Sequence, residues 1–138
     1  MNGLGDTSAW TTRHRSPAAA AAFDAAAAAH EIALCEVVVF ELLRTARDAQ
    51  SLATLRLELE SLPHVRIDSG TWRRAIDVYE LLARRGPLHH RQVPWSDVVI
   101  AAAGERAGLP IIHYDRHFET IGEVTGQPVE AIAPLGSL

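Results

Sequence analysis

The chain has 138 residues, 48% of them hydrophobic, and a formal net charge of −4. That length suits one ordinary domain, residues 1–138, and that apolar fraction supplies a core and argues against global disorder. Seventeen acidic residues outnumber thirteen basic ones, all arginine, which argues against a DNA-binding regulator that coats its target by charge.

A single cysteine, Cys35, rules out an internal disulfide. No basic segment leads into an apolar core at the N-terminus, so the expected compartment is the cytoplasm. The alanine tract from Ala18 to Ala29 is interrupted by Phe23 and Asp24 and is too short and too weakly apolar to span a membrane.

In chain order, Gly3 to Asp6 reads as a weak first strand, because glycine disfavours a strand interior. Ser16-Pro17 is a helix start, a capping hydroxyl followed by proline in the first turn, and the helix runs through the alanines to about His30. Glu31 to Cys35 reads as a buried strand, and Val37 to Asp48 as a helix with a β-branched first turn. Leu52, Leu55, Leu59 and Leu62 recur at helical spacing up to Pro63. His64 to Ile67 reads as a short strand. Ser69 to Arg85 is a helix with Trp72, Ile76, Tyr79 and Leu82 on one stripe, stopped by Gly86-Pro87. Those aromatic residues are expected in the core or on a dimer face. Ser96 is expected to cap a helix from Asp97 to about Ala107, ended by Gly108. Pro110 to Tyr114 is a strand, Phe118 to Thr125 a helix, and VEAIA a last strand. Short apolar strands alternating with helices predict an α/β fold with a parallel sheet, whose ligands gather at the carboxyl ends of the strands.

Four acids fall on that rim. Asp6 and Asp115 follow strands, Asp97 opens a helix, and Glu41 lies early in another. Convergent carboxylates repel unless a cation joins them, and oxygen ligands suit magnesium or manganese. Thr7 or Ser8 offers a hydroxyl beside the first of them. Spacing alone does not bring the four together.

The stretches GDTSAW, VVFELLR and PWSDVVIAAAGERAGLPIIHYDRHF, taken in order, resemble the PIN domain, and more closely the VapC-type toxins of bacterial type II toxin–antitoxin pairs. The resemblance runs from Asp6 to about the last strand. It implies a three-layer α/β/α sandwich around a short, mainly parallel sheet. It further implies an endoribonuclease dependent on magnesium or manganese, acting on RNA such as transfer or ribosomal RNA. Its implied partners are a cognate antitoxin, which carries the DNA-binding function, and a second copy of the chain. Asp6, Glu41, Asp97 and Asp115 match the four acidic positions and are the implied catalytic and metal-binding residues. Ser8 matches a small hydroxyl position, while Arg116 and Glu119 are weaker candidates near the site. One departure is that only MNGLG precedes Asp6, which predicts a frayed first strand or a start site elsewhere. An alternative reading follows from it: a PIN-like module that has lost catalysis and only binds protein.

The seven histidines invite a zinc reading, but neither His89-His90 nor His113 with His117 has structural-zinc spacing, and all are expected on loops or the surface. A phosphotransfer receiver also clusters acids at strand ends, but it needs a lysine, and this chain has none. The residues alone do not separate RNA from DNA as substrate.

Overall fold

The computed structural model describes residues 1–138. Four short strands, β1 (Gly3–Gly5), β2 (Ile32–Ala33), β3 (Ile111–His113) and β4 (Val129–Ala131), form an all-parallel sheet in the order β2-β1-β3-β4. Seven α-helices surround it: α1 (Thr7–Thr12), α2 (Pro17–Ala28), α3 (Glu36–Leu43), α4 (Ala49–Glu60), α5 (Ser69–Ala83), α6 (Trp95–Arg106) and α7 (Arg116–Thr125). Successive strand residues point to opposite faces and so build two cores. Leu4, Ala33 and Ile111 face a large cluster with Val38, Val78, Leu82, Val99, Ile100, Phe118 and Ile121. Ile32 and Ile112 face a smaller one with Ala9, Phe23 and Ala26. Helices α1 and α2 therefore cover one face and α3, α5, α6 and α7 the other, giving the expected three layers.

The first strand is not frayed. It is central, pairing with β2 through Gly3 and Leu4 and with β3 through Leu4 and Gly5. Close approach explains its glycines. A Cβ at Gly3 would lie 2.5 Å from the Pro110 carbonyl oxygen, and one at Gly5 would lie 2.8 Å from Ile32 Cγ2. The same Pro110 carbonyl accepts the Leu4 N–H at 2.9 Å. What glycine loses in strand propensity is offset here by packing that no side chain would permit.

Several expected boundaries move. The 64–67 strand reduces to one bridge between Leu34 and His64. Helix α3 stops at Leu43, and Asp48 instead caps α4 through a reciprocal capping box with Ser51. Ser96 lies inside α6, whose N-cap position is Pro94 with no side-chain cap. Helix α7 begins at Arg116 because Asp115 caps it, accepting the His117 N–H at 2.9 Å. On α5 the buried residues are Thr71, Ala75, Val78 and Leu82, whereas Trp72 and Ile76 are exposed. The apolar stripe read from the sequence thus straddles the edge of the core.

Helix α2 ends at Ala28, and His30 just beyond it has a φ of +58°. A left-handed residue past a helix end favours glycine. His30→Gly is expected to stabilise the fold by about 1 kcal/mol, read as a raised midpoint in chemical denaturation. No change or a loss would contradict that account of the turn.

Candidate active site

Strand order and polarity put the carboxyl ends of β1 and β3 side by side. Asp6 leaves β1 and caps α1, and Asp115 follows β3 and caps α7. Asp97 sits in the first turn of α6 and Glu41 on α3. The four carboxylates lie near enough to act on one another, Glu41 through Asp6 alone. Burial raises the Asp6 pKa most, and Asp115 adds to the rise. Burial pushes the Asp97 carboxyl up to about 7, with Asp6 and Asp115 contributing repulsion. Burial, then Asp6, raises Glu41.

Local bonds hold each group. The Ser8 hydroxyl donates to Asp6 Oδ2 at 2.5 Å and accepts the Tyr114 N–H at 2.9 Å, tying the first acid to the end of β3. The Ser8 N–H donates to the same carboxylate oxygen at 2.9 Å. The Thr7 hydroxyl donates to Glu41 Oε1 at 3.2 Å. His113 is fully buried, and its Nδ1 accepts the Asp115 N–H at 3.1 Å, which leaves the ring proton on Nε2. That Nε2 lies 3.1 Å from Glu119 Oε1 without the alignment of a hydrogen bond. Glu119 therefore reaches the site only through the His113 ring. Arg116, the first residue of α7, is exposed and forms no ion pair with any of the four acids.

The histidines were expected on loops or the surface, and two of them depart from that. Besides His113, His117 stands in the site: its Nδ1 is 3.0 Å from Asp97 Oδ2 and 3.2 Å from Asp115 Oδ1. One ligand atom from each of Asp97, Asp115 and His117 lies within 4.8 Å of the others. The available signal was the Asp-x-His spacing. A helix-capping aspartate that takes the N–H two residues on also brings that residue's side chain beside it.

The donor set fits a divalent ion. Asp6 is 3% exposed and Asp97 8%. Two carboxylates buried this close together are costly to ionise without a cation. The arginine ion pairs all lie elsewhere, between Arg13 and Asp24, Arg74 and Glu105, Arg85 and Glu123, and similar surface partners. An oxygen-rich set of this kind suits hard divalent cations.

The PIN domain family model matches residues 4–124. Ribonuclease VapC18 of Mycobacterium tuberculosis is 40% identical over 133 residues, covering 96% of both chains. Ribonuclease VapC51 of the same organism is 35% identical over 122 residues, covering 88% of this chain and 87% of that one. A DNA-bound VapBC structure from Salmonella typhimurium has the same fold, with a TM-score of 0.72 at 20% identity over 96% of this chain and all of the other. A parallel sheet in the order β2-β1-β3-β4, acids at the ends of its two central strands, and these relatives together place the chain in the PIN-domain family, among the VapC ribonucleases.

Proposed function

We propose that this chain is an endoribonuclease that hydrolyses RNA phosphodiester bonds, the toxin of a type II pair, and is neutralised by a cognate antitoxin. The reading is carried by Asp97 and Asp115, with carboxylate oxygens within 4.8 Å of one another and no arginine paired to either, and is supported by the repulsion that links Asp6 to both and Glu41 to Asp6. These four would hold magnesium or manganese. When bound, the ion neutralises phosphate charge and makes a water more acidic.

The chain's own groups do the rest. Asp6 and Asp115 are fixed by their capping bonds, so the acids are pre-arranged. Glu41 is half-buried with a raised pKa, which suits it to take a proton from the attacking water. Water oxygen bonds to phosphorus as its proton goes to Glu41, the bond from phosphorus to O3′ breaks, and a solvent water protonates the departing O3′. The products are a 5′-phosphate and a 3′-hydroxyl. The substrate 2′-hydroxyl takes no part, so a 2′-O-methyl group at the cut site is expected to leave the bond chemistry intact. Products ending in a 2′,3′-cyclic phosphate would overturn this mechanism.

The relatives fill in the setting. Two solved neighbours of the same fold are VapBC complexes bound to DNA, and in the pair proposed here the antitoxin would carry the DNA contacts. No helix is long and apolar enough to cross a membrane, and the proposed place of action is the cytoplasm, where transfer or ribosomal RNA is at hand. Trp72, Ile76 and Trp95 are exposed beside Tyr79, Val98 and Val99, an apolar patch on α5 and α6 suited to a second copy of the chain. Ile76→Asp is expected to convert a dimer to a monomer in light scattering, with the fold retained. A wild-type monomer at micromolar concentration would refute the pairing.

A further inference from the structure

We infer that His117 is a nitrogen ligand of the catalytic ion and tilts the site toward manganese over magnesium. The inference rests on the metal-dependent reading above and deepens it. His117 Nδ1 faces Asp97 Oδ2 at 3.0 Å and Asp115 Oδ1 at 3.2 Å. Two carboxylate oxygens repel an imidazole lone pair, so the three atoms need a cation or a proton among them. An octahedral ion with bonds of about 2.1 Å separates adjacent ligand atoms by about 3.0 Å. The spacings of 3.0 and 3.2 Å are those of a hydrogen bond while a proton sits on Nδ1, and they lie near enough to that edge for an ion to take the proton's place without moving the side chains.

The ring is held in place as well. Asp115 accepts the His117 N–H, so α7 presents backbone and ring of this residue to the same carboxylate. The His117 side chain is 37% exposed, and that of Asp97 is 12% exposed. An ion there would meet aspartate on the core side and imidazole on the solvent side. Magnesium holds to an all-oxygen shell, whereas affinity for a nitrogen-bearing site rises along the first transition series from Mn2+ onward, so one imidazole in a mostly carboxylate shell favours manganese over magnesium by a modest margin.

The test is Mn2+ binding followed by electron paramagnetic resonance, with Mg2+ as competitor, on the full chain. Wild-type protein is expected to show 14N modulation of the bound Mn2+ signal and to need an excess of Mg2+ to displace it. His117→Ala is expected to lose the modulation and to bind Mn2+ at least about 10-fold more weakly. His117→Asp keeps an anionic ligand without nitrogen. It is expected to bind Mn2+ without modulation and to yield to Mg2+ at lower excess. Mn2+ bound to wild type without 14N modulation, or with modulation that survives His117→Ala, would overturn the nitrogen ligand and leave the acidic site standing. Wild-type protein that binds no Mn2+ at all would overturn both.

Discussion

Asp97→Asn abolishes RNA cleavage while leaving the chain folded. The expected loss is at least about 10²- to 10³-fold in turnover, the scale seen when one pre-arranged electrostatic group is removed. Asn is nearly the same size, and its amide oxygen can still meet His117, so the packing of the buried α6 start is kept. The same substitution raises the stability of the metal-free protein at neutral pH. The Asp97 carboxyl titrates at about 7 in the fold against 3.8 when unperturbed, chiefly because burial disfavours its charged form. A raised folded pKa means that the folded state holds its proton more tightly than the unfolded chain does. Its contribution is then full below about pH 4 and is lost as pH rises to about 7. At about 1.4 kcal/mol per unit, the loss is of the order of a few kcal/mol. In chelator, wild-type stability should fall between pH 4 and 7 relative to Asp97→Asn. Parallel pH profiles for the two proteins would show that Asp97 is not the strained group.

Gly3→Val unfolds the sheet from its centre. Its Cβ would enter the space of the Pro110 carbonyl oxygen, a backbone atom that cannot swing aside and that already accepts the Leu4 N–H. Overpacking a rigid contact costs about 1–3 kcal/mol, and here the loss of a ladder bond adds to it. The expected result is a loss of at least about 3 kcal/mol, or roughly 6–12 °C in midpoint. Gly3→Ala should lose less, since it adds the same Cβ without the branch. RNA cleavage should fall along with the folded fraction, because β1 delivers Asp6. A Gly3→Val protein as stable as wild type would show that β1 is peripheral, contrary to the sheet order found.

The acidic rim was legible in the sequence because its elements announce themselves. Asp115 follows an apolar strand, Asp97 precedes an apolar helix, and ordered motifs around them carry a family pattern. The strand β1 was legible only as a weak one, and its central place in the sheet was not. Propensity counts Gly3 and Gly5 as strand breakers, and only the neighbouring Pro110 and Ile32 reveal why nothing larger fits. On α5 the sequence left open which residues face the core and which face outward, for a related reason. Trp72 and Ile76 are apolar at helical spacing, yet the face that meets the core is carried by Thr71, Ala75 and Val78. Periodicity marks a stripe but does not say which edge of it a neighbouring helix covers. The place of His117 beside Asp115 follows from the Asp-x-His spacing, but its contact with Asp97, twenty residues away, comes only from the packing of α6 against α7.

The central claim is that one metal-dependent acidic site cuts RNA. The most direct measurement is incubation of the purified, antitoxin-free chain with a pool of transfer and ribosomal RNA. It is run with manganese or magnesium, then with chelator, then with the ion restored. The account predicts discrete cuts that vanish with chelator and return with the ion. Cuts that persist undiminished in chelator, or no cuts from a folded chain shown to bind the ion, would contradict it.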